Sequence, residues 1–300
     1  MTFPYEKFQK IMGDLYFRNV TIFPPDLKDA LKKAFDRETN EIAKEKLGVM
    51  LEAIKMGEEK DIPVCQDMGM QTYFVHIGSK MQIDGYKLKT AIIQGLRDCS
   101  NQRRWRKTLS NPITRLKDGE QISTTHPHIY WDWLEDKDHM EVMCISKGSG
   151  SENQSFHAML VPAQGMNGVK KFIIDSAYAA GGQPCTPSVT TIGIGGTFDQ
   201  NAKLTKIAML RPIGKPHPEP AIATLESELL AAINATNIGP MGFGGDTTAL
   251  AVHVETADVH ETQNPVSVSF QCWAARRSGM RIFQDGKFEY IWEFGGEGYE

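Results

Sequence analysis

Ile129-Tyr130-Trp131-Asp132-Trp133-Leu134, Glu141-Val142-Met143-Cys144-Ile145-Ser146 and Phe156-His157-Ala158-Met159-Leu160-Val161 follow one another with no helical pattern between them. Each run is short, rich in β-branched or aromatic residues, and bounded by Gly, Pro, Asn or Asp, as strands are. Lys171 to Asp175 reads as a further strand on the same grounds, and Tyr73 to Ile77 as an earlier one. Strands that come in succession, without regular alternation with helices, exclude a doubly wound parallel sheet and predict the α+β class.

Working outward, the first sixty residues read as helical. Pro24-Pro25 breaks the chain, Asp26 is a candidate cap for a helix from about Leu27 to Arg37, and Thr39 for another through Glu58. In the latter, Ile42, Leu47, Met50, Leu51 and Ile54 form one apolar stripe. Tyr86 to Asp98 reads as a helix with Leu88, Ile92, Leu96 and Cys99 on one face. Beyond the central strands, helices are expected at about Asp199 to Leu210 and at Pro220 to Ala235. Strands are expected at Ala249 to Thr256 and Val266 to Gln271, and Arg281 to Gln284 and Phe288 to Trp292 flank a hairpin turn at Asp285-Gly286. The tail from Phe294 to Glu300 is expected to fray. No repeat or linker divides the chain. The expected fold is therefore a single α+β domain over residues 1–300, with a helical segment 1–60 followed by mixed β-sheets with packed helices.

Composition is that of an ordinary globular protein: 41% hydrophobic and 23% charged residues among 300. A net charge of −4 argues against a general nucleic-acid binder, which needs a basic face to neutralise phosphates. The basic run Arg103-Arg104-Trp105-Arg106-Lys107 reads as a solvated helix end. No apolar stretch approaches membrane-spanning length, and Met1 to Lys10 carries Glu6 and lacks the apolar core of a signal peptide. The expected location is the cytoplasm, where thiols stay reduced. Five cysteines without any CxxC pair make neither a disulfide framework nor a local zinc motif.

Several segments resist a purely structural reading. Cys65-Gln66-Asp67 places a soft ligand, an amide and a carboxylate within one turn before a strand. Cys185 stands between Pro184 and Thr186-Pro187, in a turn that cannot be helical, and the following Ile192-Gly193-Ile194-Gly195-Gly196 run could expose N–H groups at a helix start and hold an anion. It is not a dinucleotide fingerprint, because Phe198 occupies the place of the third glycine. Gly239 to Thr248 has the composition of a tight loop approaching a ligand. Gly148 to Asn153 is another glycine loop, and Cys272 lies at a strand end. Cys65, Cys185 and Cys272 thus occupy turns or strand ends, whereas Cys99 and Cys144 read as core. Three loop cysteines in a reduced compartment suggest a metal or cluster site, but gaps of 120 and 87 positions between them match no local motif and equally suit scattered thiols.

Taken in order, these segments resemble the alpha region of the class I fumarase and L-tartrate dehydratase family. The resemblance covers nearly the whole chain: the Cys65-Gln66-Asp67 turn, Gly148 to Asn153, Cys185 with its glycine run, Leu210-Arg211-Pro212-Ile213-Gly214, Gly239 to Leu250, His260, and Cys272-Trp273-Ala274 leading to Arg276-Arg277. It implies a 4Fe–4S cluster on Cys65, Cys185 and Cys272, with the fourth iron open to substrate as a Lewis acid. It implies Gln66 and Asp67 beside the substrate, with Asp67 handling the proton of the departing hydroxyl. Arg106 would clamp a substrate carboxylate, Ser149 would stand in the glycine-rich loop, and His260 would lie near the substrate. The implied activity is hydration or dehydration of a small dicarboxylic acid such as fumarate/malate, tartrate or mesaconate. The alternative is a non-catalytic iron–sulfur or zinc-binding protein derived from the same family. In the family a separate beta subunit supplies the group that removes the carbon-bound proton, so a beta partner in an α2β2 assembly is expected. The chain departs from the family pattern at Met68, usually threonine, at Thr186, usually proline, at Ser149, usually glycine, and over Leu116 to Pro127, which lacks an asparagine- and threonine-rich segment.

Overall fold

The computed structural model describes residues 2–103, 105–117, 119–123 and 125–298. Arg104, within the basic run, lies outside the described residues. In chain order the elements are α1 (Tyr5–Thr21), α2 (Pro25–Arg37), α3 (Glu41–Lys60), β1 (Met70–Gly78), α4 (Gly85–Gln102), β2 (His128–Leu134), β3 (His139–Lys147), α5 (Ser149–Glu152), β4 (Phe156–Leu160), α6 (Gly165–Ala180), β5 (Ser188–Gly195), α7 (Phe198–Ala208), α8 (Pro220–Asn234), β6 (Ala249–Ala257), β7 (Asn264–Gln271), β8 (Arg276–Phe283) and β9 (Phe288–Ile291). Three helices precede two mixed sheets, so the class is α+β, as the sequence predicts. Among the described residues no helix is long and apolar enough to cross a membrane.

The chain divides into two compact units. The first contains the residues up to Pro24, Met56–Lys147, and those from Arg276 onward. Its sheet has the order β2-β1-β3-β8-β9, with β1 and β2 parallel and the other neighbours antiparallel. β3 is buried at every position from Met140 to Lys147, as befits a central strand. The core gathers Phe8, Ile11, Met12, Leu15 and Tyr16 of α1, Leu88, Ile92 and Leu96 of α4, and Tyr73, Val75, Val142 and Met280 from the sheet. Asp84 caps α4, its Oδ1 accepting the Tyr86 and Lys87 N–H groups at 3.0 and 3.1 Å. The tail is tied as far as Gly296, contrary to expectation. Phe294 stacks on His76 at 3.9 Å, Glu141 accepts the Gly295 N–H at 2.9 Å, and Arg281 donates to the Gly296 carbonyl at 2.8 Å. Arg281 bridges buried Glu141 and Glu289, which explains why the chain end follows it.

The second unit contains Pro25–Lys55 and Gly148–Ala275. Its sheet runs β4-β7-β5-β6, and α6 and α8 contribute Val169, Ile173, Ala177, Leu225, Leu229 and Ile233 to its core. Three expectations fail here. Lys171 to Asp175 lies inside helix α6, whose buried positions Val169, Ile173, Ser176, Ala177 and Ala180 keep a helical period across the apolar run. The glycine run is not an anion loop. Gly193 and Gly195 belong to β5, paired parallel to β6 and antiparallel to β7. A Cβ at Gly193 would lie 2.3 Å from the Asn201 carbonyl oxygen, so glycine is needed there for α7 to approach the strand. The start of α7 already carries its own anion. Asp199 accepts the Thr197 hydroxyl at 2.7 Å, and that bond, with its own and the Gln200 N–H groups, holds the carboxyl below its usual range. Thr39 likewise is not the cap of α3. Asn40 is, with Oδ1 accepting from Ile42 and Ala43 at 3.0 and 3.1 Å.

Arg211 and Glu226 form a buried bidentate pair at 3.0 and 2.6 Å, and Glu226 also accepts the Val254 N–H at 2.7 Å and the His217 N–H at 3.2 Å. Burial works against the Glu226 carboxylate, but the Arg211 and backbone hydrogen bonds outweigh it and leave its pKa lowered. Glu226→Gln is expected to destabilise the chain by about 2 kcal/mol at neutral pH in urea unfolding, because it removes the bidentate carboxylate from a buried guanidinium and leaves it the longer 3.2 Å pairing with Glu255. With a depressed folded pKa, the wild-type contribution is complete above the ordinary value of 4.5 and is lost as pH falls through the folded value. The wild-type and variant stabilities therefore converge in acid. A constant difference down to the lowest measurable pH would contradict this.

Candidate active site

The turn Cys65-Gln66-Asp67-Met68-Gly69 leads directly into β1. Its conformation is set by its own side chains and by a buried polar cluster beneath it. The Asp67 N–H points to Cys65 Sγ at 3.4 Å, and Asp67 Oδ1 accepts the Gly69 N–H at 2.8 Å. Buried Arg276, the first residue of β8, donates to the Asp67 carbonyl at 2.7 Å. Gln71 is fully buried and donates through Nε2 to the Met68 and Gly69 carbonyls at 2.7 and 3.0 Å. Gln121 adds a third bond to this stretch, to the Gly69 carbonyl at 3.3 Å. With its Nε2 engaged, Gln71 presents Oε1 to His126 Nε2 at 2.9 Å, and the Gln71 N–H points to the same nitrogen at 3.5 Å. Burial, helped by the neighbouring His128, lowers the His126 pKa to about 4, which keeps the ring neutral. Cys65 and Gln66 stand exposed above this cluster, and Asp67 is half-buried. Met68 is only 2% exposed and packs in the core, so the residue that replaces the family threonine does not line an open pocket.

Cys185 sits in a tight turn of the second unit with φ of +58°, an unusual conformation for a side chain with a Cβ. Its N–H donates to the Gly182 carbonyl at 3.1 Å, and its own carbonyl accepts the Trp273 N–H at 3.0 Å. That last bond brings the Cys185 turn and the Cys272-Trp273 segment together. Both cysteines are half-buried. The Gly239–Asp246 loop backs the turn. Met241 N–H donates to the Thr186 carbonyl at 2.8 Å, and the Thr186 hydroxyl donates to the Gly239 carbonyl at 2.6 Å. A Cβ at Gly182 would meet Gly242 Cα at 2.7 Å, so the two loops touch backbone to backbone. The loop that holds Ser149 borders the same turn, with Gln154 Nε2 donating to Gln183 Oε1 at 2.7 Å.

The remaining residues singled out in the sequence are at the surface. Ser149 is exposed and begins the short helix α5. His260 is exposed in the β6–β7 loop, its Nδ1 within 2.9 Å of Thr262 Oγ1. Arg106 is exposed just beyond α4. Around it, Trp105 packs on Tyr16 and Phe17, and the Arg103 guanidinium lies 3.8 Å over the Phe17 ring. The basic run is thus half packed, not a free cationic patch. Arg276 ends the Cys272-Trp273-Ala274 segment singled out in the sequence, whereas the supporting residues Gln71, Gln121 and His126 carry no local motif. Gln71 alone betrays itself, as an amide at an inward position of an apolar strand.

The five thiols fall into two classes. Cys99 and Cys144 are buried, and desolvation pushes each up to about 12, so neither forms a thiolate at neutral pH. Cys65, Cys185 and Cys272 are exposed or half-buried. Among the described residues no group of three His, Cys, Asp or Glu side chains is drawn close enough to hold a metal ion. The donor set nonetheless fits a thiolate-bound cluster chemically. Thiols are the soft donors such a cluster takes; those of Cys65 and Cys185 sit on hydrogen-bonded turns and that of Cys272 at a strand end, and an N–H already points at the sulfur of Cys65.

Comparison with known proteins agrees with the layout. The family model for fumarate hydratase (Fumerase) matches residues 9–281. A putative L(+)-tartrate dehydratase subunit alpha from Methanocaldococcus jannaschii is 38% identical over 283 residues, covering 94% of this chain and 99% of its own length. The L(+)-tartrate dehydratase subunits alpha of two Escherichia coli strains are 30% and 29% identical over 285 residues, covering 95% of this chain and 94% of theirs. A match of this extent makes this chain a member of the fumarate hydratase (Fumerase) family of hydro-lyases.

Proposed function

We propose that the chain is the cluster-binding alpha subunit of a hydro-lyase that removes water from, or adds it to, a small dicarboxylic acid. The observation that carries this reading is the division of the thiols. Within a Fumerase-family chain, only Cys65, Cys185 and Cys272 are accessible, and these are the three at turns or strand ends. They would hold a 4Fe–4S cluster through their thiolates. When bound, the cluster supplies an iron without a protein ligand, a Lewis acid toward a hydroxyl that is otherwise a poor leaving group.

The roles of the chain's own residues follow from their chemistry. Asp67, half-buried beside Cys65, is the group to exchange a proton with the departing hydroxyl. Gln66 offers an amide to the substrate, and Arg106 a bidentate clamp for one carboxylate. Ser149, in the loop bordering the Cys185 turn, and His260 complete the polar groups assigned to the substrate. The relatives' names favour L(+)-tartrate over fumarate as the first substrate to test. They also support a beta partner, proposed as part of an α2β2 assembly, that removes the carbon-bound proton. Work in a reducing compartment, the cytoplasm, follows from the need for free thiols.

Two experiments test this. Anaerobic purification and reconstitution with iron and sulfide should give a broad brown absorption band. That band should be lost in Cys65→Ser, Cys185→Ser and Cys272→Ser and kept in Cys99→Ser. A colourless, folded wild-type chain after reconstitution would sink the cluster assignment. The reconstituted chain alone should not turn over L(+)-tartrate or fumarate, whereas addition of a beta chain of the same family should restore activity; turnover by the chain alone would disprove the division of labour.

A further inference from the structure

The link between α2 and α3, only Glu38 to Asn40, carries a clasp that the helices' amphipathic pattern does not require. Glu38 is 4% exposed. Its Oε1 accepts the N–H groups of Asp246 and Asn40 at 2.9 and 3.1 Å, and its Oε2 lies 3.1 Å from the same Asp246 nitrogen. Asp246 answers with its own carboxylate. Oδ2 accepts the Thr39 N–H at 2.9 Å and the Thr39 hydroxyl at 2.7 Å. Glu38 thus holds the Asp246 backbone, and Asp246 in turn holds the backbone and hydroxyl of Thr39, the residue next to Glu38.

The clasp ends where the Gly239–Asp246 loop ends. The other end of that loop is tied by the Gly239 N–H to Thr248 Oγ1 at 3.1 Å, and its middle by the Gly244 N–H to the Ile238 carbonyl at 2.9 Å. The loop touches the Cys185 turn on both sides of the cysteine, through Gly242 against Gly182 and through the paired hydrogen bonds between Met241, Thr186 and Gly239. A loop of glycines has little stiffness of its own. Its shape comes from its ends, and one end is Glu38.

We propose that Glu38 is a positioning residue for the Cys185 thiol, acting through Asp246 and the Gly239–Asp246 loop. This rests on the reading of Cys185 as a cluster ligand. A carboxylate suits the task because it accepts several N–H bonds at once, and burial makes those bonds costly to lose.

The test uses the full-length chain, metal-free and under reducing conditions. Alkylation of Cys185 by iodoacetamide is followed by mass spectrometry, with Cys65 as internal reference. Glu38→Ala should raise the Cys185-to-Cys65 rate ratio about fivefold, the effect of losing one buried hydrogen-bonded tie. Glu38→Gln, which keeps one acceptor oxygen, should fall between the two. After reconstitution, Glu38→Ala should also lose iron to a chelator faster than wild type. Glu226→Gln, a buried carboxylate of the same unit outside this chain of contacts, should leave the alkylation ratio unchanged. An unchanged ratio in a folded Glu38→Ala chain would overturn the proposal. If that variant does not fold, Thr39→Val, which removes only the hydroxyl bond to Asp246, decides by the same ratio. Failure of the underlying reading looks different: a wild-type chain that takes up no iron and whose Cys185 alkylates equally before and after reconstitution.

Discussion

A backbone carbonyl or N–H outside regular structure needs a partner, and in this chain those partners are buried side chains placed under turns. Gln71 is the clearest case. One amide satisfies two carbonyls of the Cys65–Gly69 turn and is itself in contact with the His126 ring, which burial holds neutral, while Arg276 donates to a third carbonyl of the turn. The second unit uses the same principle with different groups. There the Cys185 turn is held by Trp273, Thr186 and the loop that Glu38 clasps. Functional loops on rigid ties are the expected design for a site whose ligands must not wander.

The contrast between thiols follows from the same economy of burial. Cys144 lies on the central strand of its sheet and Cys99 on the inner face of α4, where a thiolate would have no compensating donors of sufficient strength. These two act as small hydrophobes. The other three cysteines lie at turns or strand ends, exposed or half-buried.

Much of the layout was legible because it rests on period and punctuation. The apolar stripe of α4, the proline start of α8 and the Asp285-Gly286 hairpin all stand where the residues predict. The failures arise where a longer stripe or a neighbouring element overrules the chemistry of a short stretch. Lys171 to Asp175 has strand-like residues, but the stripe that extends from Val169 to Ala180 commits them to a helix. The Ile192 to Gly196 run reads as an anion-holding glycine loop, yet Gly193 is small because α7 crosses it and Gly195 because Ala257 of β6 lies against it. Thr39 has the chemistry of a cap and is recruited instead by Asp246, more than two hundred positions away. The site residues with motifs were visible. Those without, Gln71, His126 and Glu38, were not, because nothing near them in sequence says what lies beneath a turn.

The departures from the family pattern acquire a physical meaning in this light. Threonine for proline after Cys185 does not loosen the turn, since its hydroxyl reaches the Gly239 carbonyl, a bond proline cannot make. Stiffness that a ring would supply covalently is supplied here by a hydrogen bond to the neighbouring loop. Methionine for threonine at position 68 moves a side chain from a polar role into the core of the first unit, where its carbonyl still serves Gln71.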